Sequence, residues 1–240
     1  LAAVRRYDDP ADIELAGLIA ASLALGNATA ITRAVEAVLR IFGGHPARAL
    51  ATMKDSALRS ALSGFRYRFF DGEDVAALLC AARNMSARHG SLERAFLAVD
   101  DPAEEDYATT ASRFVRSLAS EASQPDPWRS NLFPDPARGS AAKRVFLYLR
   151  WMVRHDGVDP GPWQDADQRR LVIPLDTHMA AACRRLGLLS RHTTDLKAAR
   201  EALAAFRIIR PDDPVRYDFC MTRPGIHPDL DPDKCFECFH

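Results

Sequence analysis

Pro134-Asp-Pro-Ala-Arg138-Gly139-Ser140-Ala-Ala-Lys143-Arg144-Val-Phe146-Leu-Tyr-Leu-Arg150-Trp151-Met-Val-Arg154 decides how this chain is read. A turn rich in Pro, Gly and Ser runs directly into an apolar segment with helical spacing. Gly139 and Ser140 put backbone N–H groups at a helix start, where the first-turn donors lack partners and an anion can sit. Lys143 falls in that first turn. A cation there opposes the helix dipole, at a cost of about 0.3–1 kcal/mol, so its presence calls for an explanation. One explanation is a solvated surface lysine with Arg144, Arg150 and Arg154 forming a charged face. The other is a nucleophilic amine, a task arginine cannot perform because it stays protonated and forms no Schiff base.

Outward from this segment the pattern is helical almost throughout. Asp9-Pro10 opens a helix with an N-cap and a first-position proline. Ile13, Leu15, Leu18, Ile19, Leu23 and Leu25 supply its apolar face, and Gly26 stops it. Asn27 caps a second helix through Phe42. Further helices are predicted at 46–53, 55–63, 74–89, 91–97, 104–122, 141–155, 176–189, 195–209 and from Asp213-Pro214 to about Met221. Long loops are expected at 124–140 and 156–174. Leu171-Val-Ile-Pro-Leu175 is the single strand-like piece, and its proline argues against a ladder. The fold class is all-α, as one domain over 1–222. Any division into two lobes falls near 123–140, and 223–240 is an irregular cysteine-bearing tail.

Composition bounds the function. The chain has 240 residues, 48% hydrophobic and 27% charged, with 32 basic against 32 acidic side chains. These values fit a folded domain and exclude a disordered or uniformly basic chain. The distribution is uneven, however. Residues 138–200 carry twelve Lys or Arg against six Asp, which points any polyanion site to the later half. Arg outnumbers Lys 28 to 4, so each lysine is informative. No apolar run reaches the roughly 18 residues of a membrane span, so no membrane partner is expected. The N-terminal stretch lacks a signal-peptide pattern. Five cysteines, two of them inside predicted helices, do not suggest a disulfide framework. A monomer in a reducing cytoplasm is expected. Phosphate-loop, dinucleotide-binding, zinc-protease and nucleophile-elbow motifs are absent.

A second segment completes the candidate chemistry. In Leu175-Asp176-Thr177-His178, Asp176 is a natural N-cap. Capping holds its carboxylate rigid and ionised, which is compatible with aiming it into a cleft. His178 reads first as a packed or capping histidine.

Together the Lys143 and Asp176 segments resemble the helix–hairpin–helix DNA glycosylase superfamily. The chain is more specifically similar to an uncharacterised bacterial family marked by Gly-Ser-x-x-Lys-Arg running into Leu-Arg-Trp-Met-Val-Arg, then Asp-Gly-Val-Asp-x-Gly-x-Trp, then Ile-Pro-Leu-Asp-Thr-His. All three marks are present, the last ending at His178. The separation of 33 positions between Lys143 and Asp176 is closest to the archaeal 8-oxoguanine glycosylase type. In place of the family's Gly-x-Gly hairpin stands Gly139-Ser140. The resemblance implies helical lobes around a cleft and a base-excision glycosylase/AP lyase acting on damaged duplex or single-stranded DNA, with 8-oxoguanine or another oxidised base as substrate.

The implied roles follow residue by residue. Lys143 attacks C1′ and Asp176 assists as base or as a counter-charge. Arg138, Gly139, Ser140, Arg144, Arg150 and His178 contact DNA. Phe146, Trp151, Trp128 and Trp163 are candidates to stack on the extruded base, though core packing is an equally good reading of Phe146 and Trp151. The chemistry needs no cofactor. Cys220, Cys235 and Cys238, followed by His240, are candidates for an iron–sulfur cluster or a zinc site. Two alternatives stay open: a non-catalytic nucleic-acid-binding helix–hairpin–helix protein, and an unrelated nucleotide-acting enzyme using the same cleft.

Overall fold

The computed structural model describes residues 1–122 and 131–226. Within them lie eleven α-helices and one two-stranded hairpin. The helices are α1 (Pro10–Ser22), α2 (Ala28–Leu39), α3 (Pro46–Thr52), α4 (Asp55–Leu62), α5 (Gly72–His89), α6 (Leu92–Leu97), α7 (Ala108–Glu121), α8 (Lys143–Val153), α9 (Thr177–Arg185), α10 (Leu196–Ile209) and α11 (Asp218–Ile226). The strands β1 (Arg66–Tyr67) and β2 (Phe70–Asp71) pair antiparallel. The all-α class is therefore observed, and the hairpin, too short to show as an alternating run, was not predicted.

Helix α1 forms the axis. Asp9 caps it by accepting from the Ala11 N–H at 2.9 Å, and every residue from Asp12 to Ser22 is buried. A helix apolar on all sides belongs inside a domain. Helix α8 is buried almost as fully, although Arg144 and Arg150 give it a charged side: only Lys143 and Leu147 escape full burial. The two helices meet at Gly17, where an added Cβ would lie 2.6 Å from Met152 Cε. The core is continuous from Val4 to Val215.

The loop over residues 156–170 folds back on α8. The Gly161 and Trp163 amides donate to the Trp151 and Met152 carbonyls, and the Trp163 indole donates to the buried Glu14 carboxylate at 2.7 Å. Residues 171–175 are then buried without joining a sheet, and lead to Asp176 at the start of α9.

Several boundaries differ from those expected. Helix α7 starts at Ala108 because Asp106, not a residue near 104, accepts its first amide at 2.8 Å. Helix α11 starts at Asp218; residues 214–217 are turns, and the Asp213 carboxylate binds Arg154 instead of capping a helix.

Gly72, the first residue of α5, sits against the end of α4. A Cβ there would lie 1.9 Å from the Leu62 carbonyl oxygen. Backbone cannot yield as a side-chain tip can, so Gly72→Ala is expected to destabilise by about 1–3 kcal/mol. Chemical denaturation checks this, and an unchanged midpoint would mean the α4–α5 approach is looser than described.

Candidate active site

Two helix starts converge on one ion pair. Lys143 Nζ and Asp176 Oδ2 lie 2.7 Å apart, with side-chain exposures of 36% and 15%. The lysine is the first residue of α8 and the aspartate is the N-cap of α9.

Local structure sets each position. Asp135 is buried, held by the Ser112 hydroxyl at 2.5 Å and the Arg116 guanidinium at 2.9 Å. It caps a single 3-10 turn, Pro136–Arg138, by accepting from the Ala137 N–H. Gly139 leaves that turn with φ +88°, a conformation glycine adopts freely. Ser140 then pairs with Asp195, the N-cap of α10, and its hydroxyl accepts from the Ala142 N–H at 3.3 Å. Ala142 enters α8 at φ +43°, unusual for a residue with a Cβ. This sharp entry places Lys143 at the exposed rim of an otherwise buried helix. Across from it, Asp176 Oδ1 accepts from the Met179 N–H at 2.8 Å, which leaves Oδ2 for the lysine.

Burial alone raises the pKa of Asp176. The charge and hydrogen bond of Lys143, the Met179 amide and nearby His178 more than offset this, so the carboxyl titrates below its ordinary value. A folded-state pKa lowered in this way gives stability that is present above the unfolded pKa and lost as pH falls through the folded one. Removing the lysine leaves burial less opposed. Carboxyl NMR titration is therefore expected to show Asp176 moving upward in Lys143→Gln, and an unmoved titration would mean the two groups do not interact.

Asp218 lies near enough to feel the charges of the pair. It is buried and bonded to Arg150. Burial raises its pKa, and Asp176 and Asp159 push the same way, while Arg150 and Lys143 oppose. Sequence reasoning missed this carboxylate because it comes from α11, 75 positions after Lys143. It also missed the abutment of Ser140 on the α10 N-cap. The Asp-x-x-Ala pattern of Asp195 to Ala198 marks that helix start, but nothing local names its neighbour.

The structure sorts the other predicted residues into two groups. Arg138, Gly139, Ser140 and His178 are exposed, and His178 acts electrostatically on Asp176. Arg144 and Arg150 are corrected: neither is a surface charge. The Arg144 side chain donates to the Ser22 and Asn131 carbonyls and covers the Phe70 ring, and burial lowers its pKa to about 10. Arg150 pairs with Asp159 and Asp218 inside the protein. Phe146, Trp151 and Trp163 are corrected as base-stacking residues, since all three are buried in the core around α1 and α8. Trp163 packs against Phe96 and Tyr148.

Trp128, Cys235, Cys238 and His240 lie outside the described residues. Cys220 is exposed, with its thiol 3.1 Å from the Tyr217 carbonyl. Among the described residues no group of three or more His, Cys, Asp or Glu could hold a metal. No helix among them is long and apolar enough to cross a membrane. A cavity of about 570 Å³ lies elsewhere, between α1, α3 and α5, and its lining includes neither Lys143 nor Asp176.

No curated protein and no solved structure matches the chain. One family matches residues 1–227, almost the whole length, and the chain therefore belongs to the family described as Protein of unknown function (DUF2400).

Proposed function

We propose that the protein is a DNA base-excision glycosylase/AP lyase that works through a Schiff base on Lys143. The observation that carries this reading is the 2.7 Å Lys143–Asp176 pair at the rim of two helix starts. The resemblance of the two segments to the helix–hairpin–helix glycosylases supports it. Gly139 and Ser140 are exposed beside the start of α8, with the Gly139 amide donating to the Pro136 carbonyl.

In the resting protein the proton stays on nitrogen, because Asp176 is held ionised. A bound nucleotide excludes water from the pair, and desolvation favours the neutral forms over the charged ones. Asp176 then takes a proton from the Lys143 ammonium. The free amine forms an N–C1′ bond as the glycosidic bond breaks, and the bonding electron pair leaves with the base, which takes the proton held by Asp176. Asp176 is again an anion, facing the cationic nitrogen on C1′. A proton moves from that nitrogen to O4′ as the C1′–O4′ bond breaks, which opens the ring and leaves the iminium. Loss of a C2′ proton then expels the 3′ phosphate.

The test is a strand-cleavage assay on oligonucleotides carrying an abasic site, 8-oxoguanine, uracil or an oxidised pyrimidine. Cleavage of the abasic strand and of at least one base lesion is expected. No cleavage of any strand would overturn the reading, and binding without cleavage would make the protein a non-catalytic nucleic-acid binder.

A further inference from the structure

We propose that the cavity between α1, α3 and α5 binds a small organic cation, an amine or amidine on a compact apolar body, with Glu14 as its counter-charge. The proposal is independent of the Lys143 reading, because neither Lys143 nor Asp176 lines this cavity.

Helix α1 forms the inner wall. Its neighbouring positions Ile13, Leu15, Leu18 and Ile19 are apolar and buried, yet Asp12 and Glu14 are buried with them, at 3% and 4% exposure. Buried carboxylates need partners. Asp12 accepts from the Ala47 N–H at 2.8 Å and lies 3.3 Å from His45 Nδ1. It thereby caps α3, whose own N-cap residue supplies no side-chain bond. Glu14 accepts from the Leu92 and Glu93 amides at 3.1 and 2.8 Å and from the Trp163 indole at 2.7 Å.

The two carboxylates differ in one respect. Asp12 has a histidine beside it, whereas every donor to Glu14 is neutral. Among the described residues no cation pairs with Glu14. Hydrogen bonds from amides hold its oxygens in place without cancelling the charge. Burial raises its pKa, and Glu93 acts in the same direction. Oε2 accepts from the Leu92 amide, and a carboxylate oxygen has room for a second donor. A buried anion of this kind is ordinarily matched by a cation.

The space beside it suits a small molecule. The cavity has a volume of about 570 Å³, within the range of ligand pockets. Buried Leu15, Leu50 and Leu92 give it apolar surface. Ala51 of α3 and Ala87 of α5 line it and are exposed, so small side chains form its mouth. The other charged lining residues leave Glu14 unmatched. Arg83 is spent on the Met53 carbonyl and on Asp55. Asp9 and Arg48 are exposed to solvent. An anionic inner wall beside apolar surface selects a cation with an apolar body. Its N–H groups would make charge-assisted hydrogen bonds, which are stronger than neutral ones.

The test uses three probes of one shape and different charge: benzamidine, benzamide and benzoate. Each is titrated into the full chain while the Trp163 indole N–H is followed by NMR, since that group donates to Glu14. Benzamidine is expected to move the signal and to bind at least about tenfold more tightly than benzamide, the difference between a charge-assisted and a neutral hydrogen bond. Benzoate is expected to leave the signal in place. Glu14→Gln keeps an acceptor for the amides and removes the charge, so benzamidine should then bind no better than benzamide. Ala51→Leu fills the mouth without touching Glu14, and the exposed position lets the variant fold. It is expected to weaken benzamidine binding about tenfold or more, and it decides the matter if Glu14→Gln does not fold. Lys143→Gln should leave benzamidine binding unchanged. No shift with benzamidine, equal binding of benzamidine and benzamide, or full binding by Ala51→Leu would each overturn the proposal. None of these results bears on strand cleavage.

Discussion

Lys143→Gln reduces strand cleavage to the level of a protein-free control. Glutamine keeps the length and polarity of the side chain but forms no imine. The position is partly exposed, so the fold survives the change. Asp176→Asn separates chemistry from structure more finely. Asparagine caps a helix about as well as aspartate, so it still accepts the Met179 amide, and stability changes little. The anion is lost, and with it both the proton acceptor and the charge facing the sugar cation. Cleavage is expected to fall by about 10²–10⁴-fold, the usual cost of a positioned base or acid. Comparable cleavage by Asp176→Asn and wild type would leave capping as the sole role of this residue. Circular dichroism and thermal melting of both variants confirm that folding is unaffected.

Arg154→Ala is the largest expected loss of stability. Arg154 is buried at the end of α8 and serves three carboxylates. It binds Asp213 through two parallel bonds of 2.9 Å, Asp156 at 2.8 Å and Asp159 directly. Asp159 also accepts from Arg150 at 3.0 Å, and Arg150 binds Asp218. One buried network thus joins α8, the loop at 156–159 and the chain entering α11. A matched network contributes little net stability, because burial of the charges costs nearly what pairing returns. Removing one partner is different, since it strands the others in a poorly solvating interior. The expected cost is about 3–5 kcal/mol, a melting temperature lower by about 6–20 °C for a chain this long. Adding Asp213→Asn should recover part of the loss, because it removes a stranded charge. A shift under about 2 °C for Arg154→Ala would mean that solvent reaches the network.

These same arginines show where the sequence was misleading. Arg144, Arg150 and Arg154 stand at spacings that read as a solvated basic face on an amphipathic helix. Asp156 and Asp159 lie close by in the chain, but the other groups that receive them include Ser22, Asp213 and Asp218, far away in it. No local pattern announces that a helix will be covered on its charged side as well. The surplus of basic residues over 138–200 is consequently smaller at the surface than in the sequence. The aromatic assignments failed for a related reason. Phe146 and Trp151 lie on a helix whose apolar and charged residues alike are buried, Lys143 and Leu147 excepted.

What was legible depended on backbone chemistry. Asp9-Pro10, Asn27 and Asp195 each cap the helix they were expected to start. Gly139 and Ala142 make the turn that the Gly-Ser segment suggested, and Asp176 caps α9 as its spacing required. The Lys143–Asp176 pair was legible because each partner sits at such a start. The hairpin was not, since two-residue strands leave too short a pattern. Asp218 was not, because the helix it begins was expected to start five residues earlier.

The most direct measurement is borohydride trapping on an abasic oligonucleotide followed by peptide mapping of the adduct. Only four lysines are present, Lys54, Lys143, Lys197 and Lys234, so the adduct is assignable without ambiguity. A stable adduct on the peptide bearing Lys143, absent in Lys143→Gln, is the expected result. An adduct on another lysine, or none with protein that is folded and bound to the oligonucleotide, would contradict the assignment of Lys143 as the nucleophile.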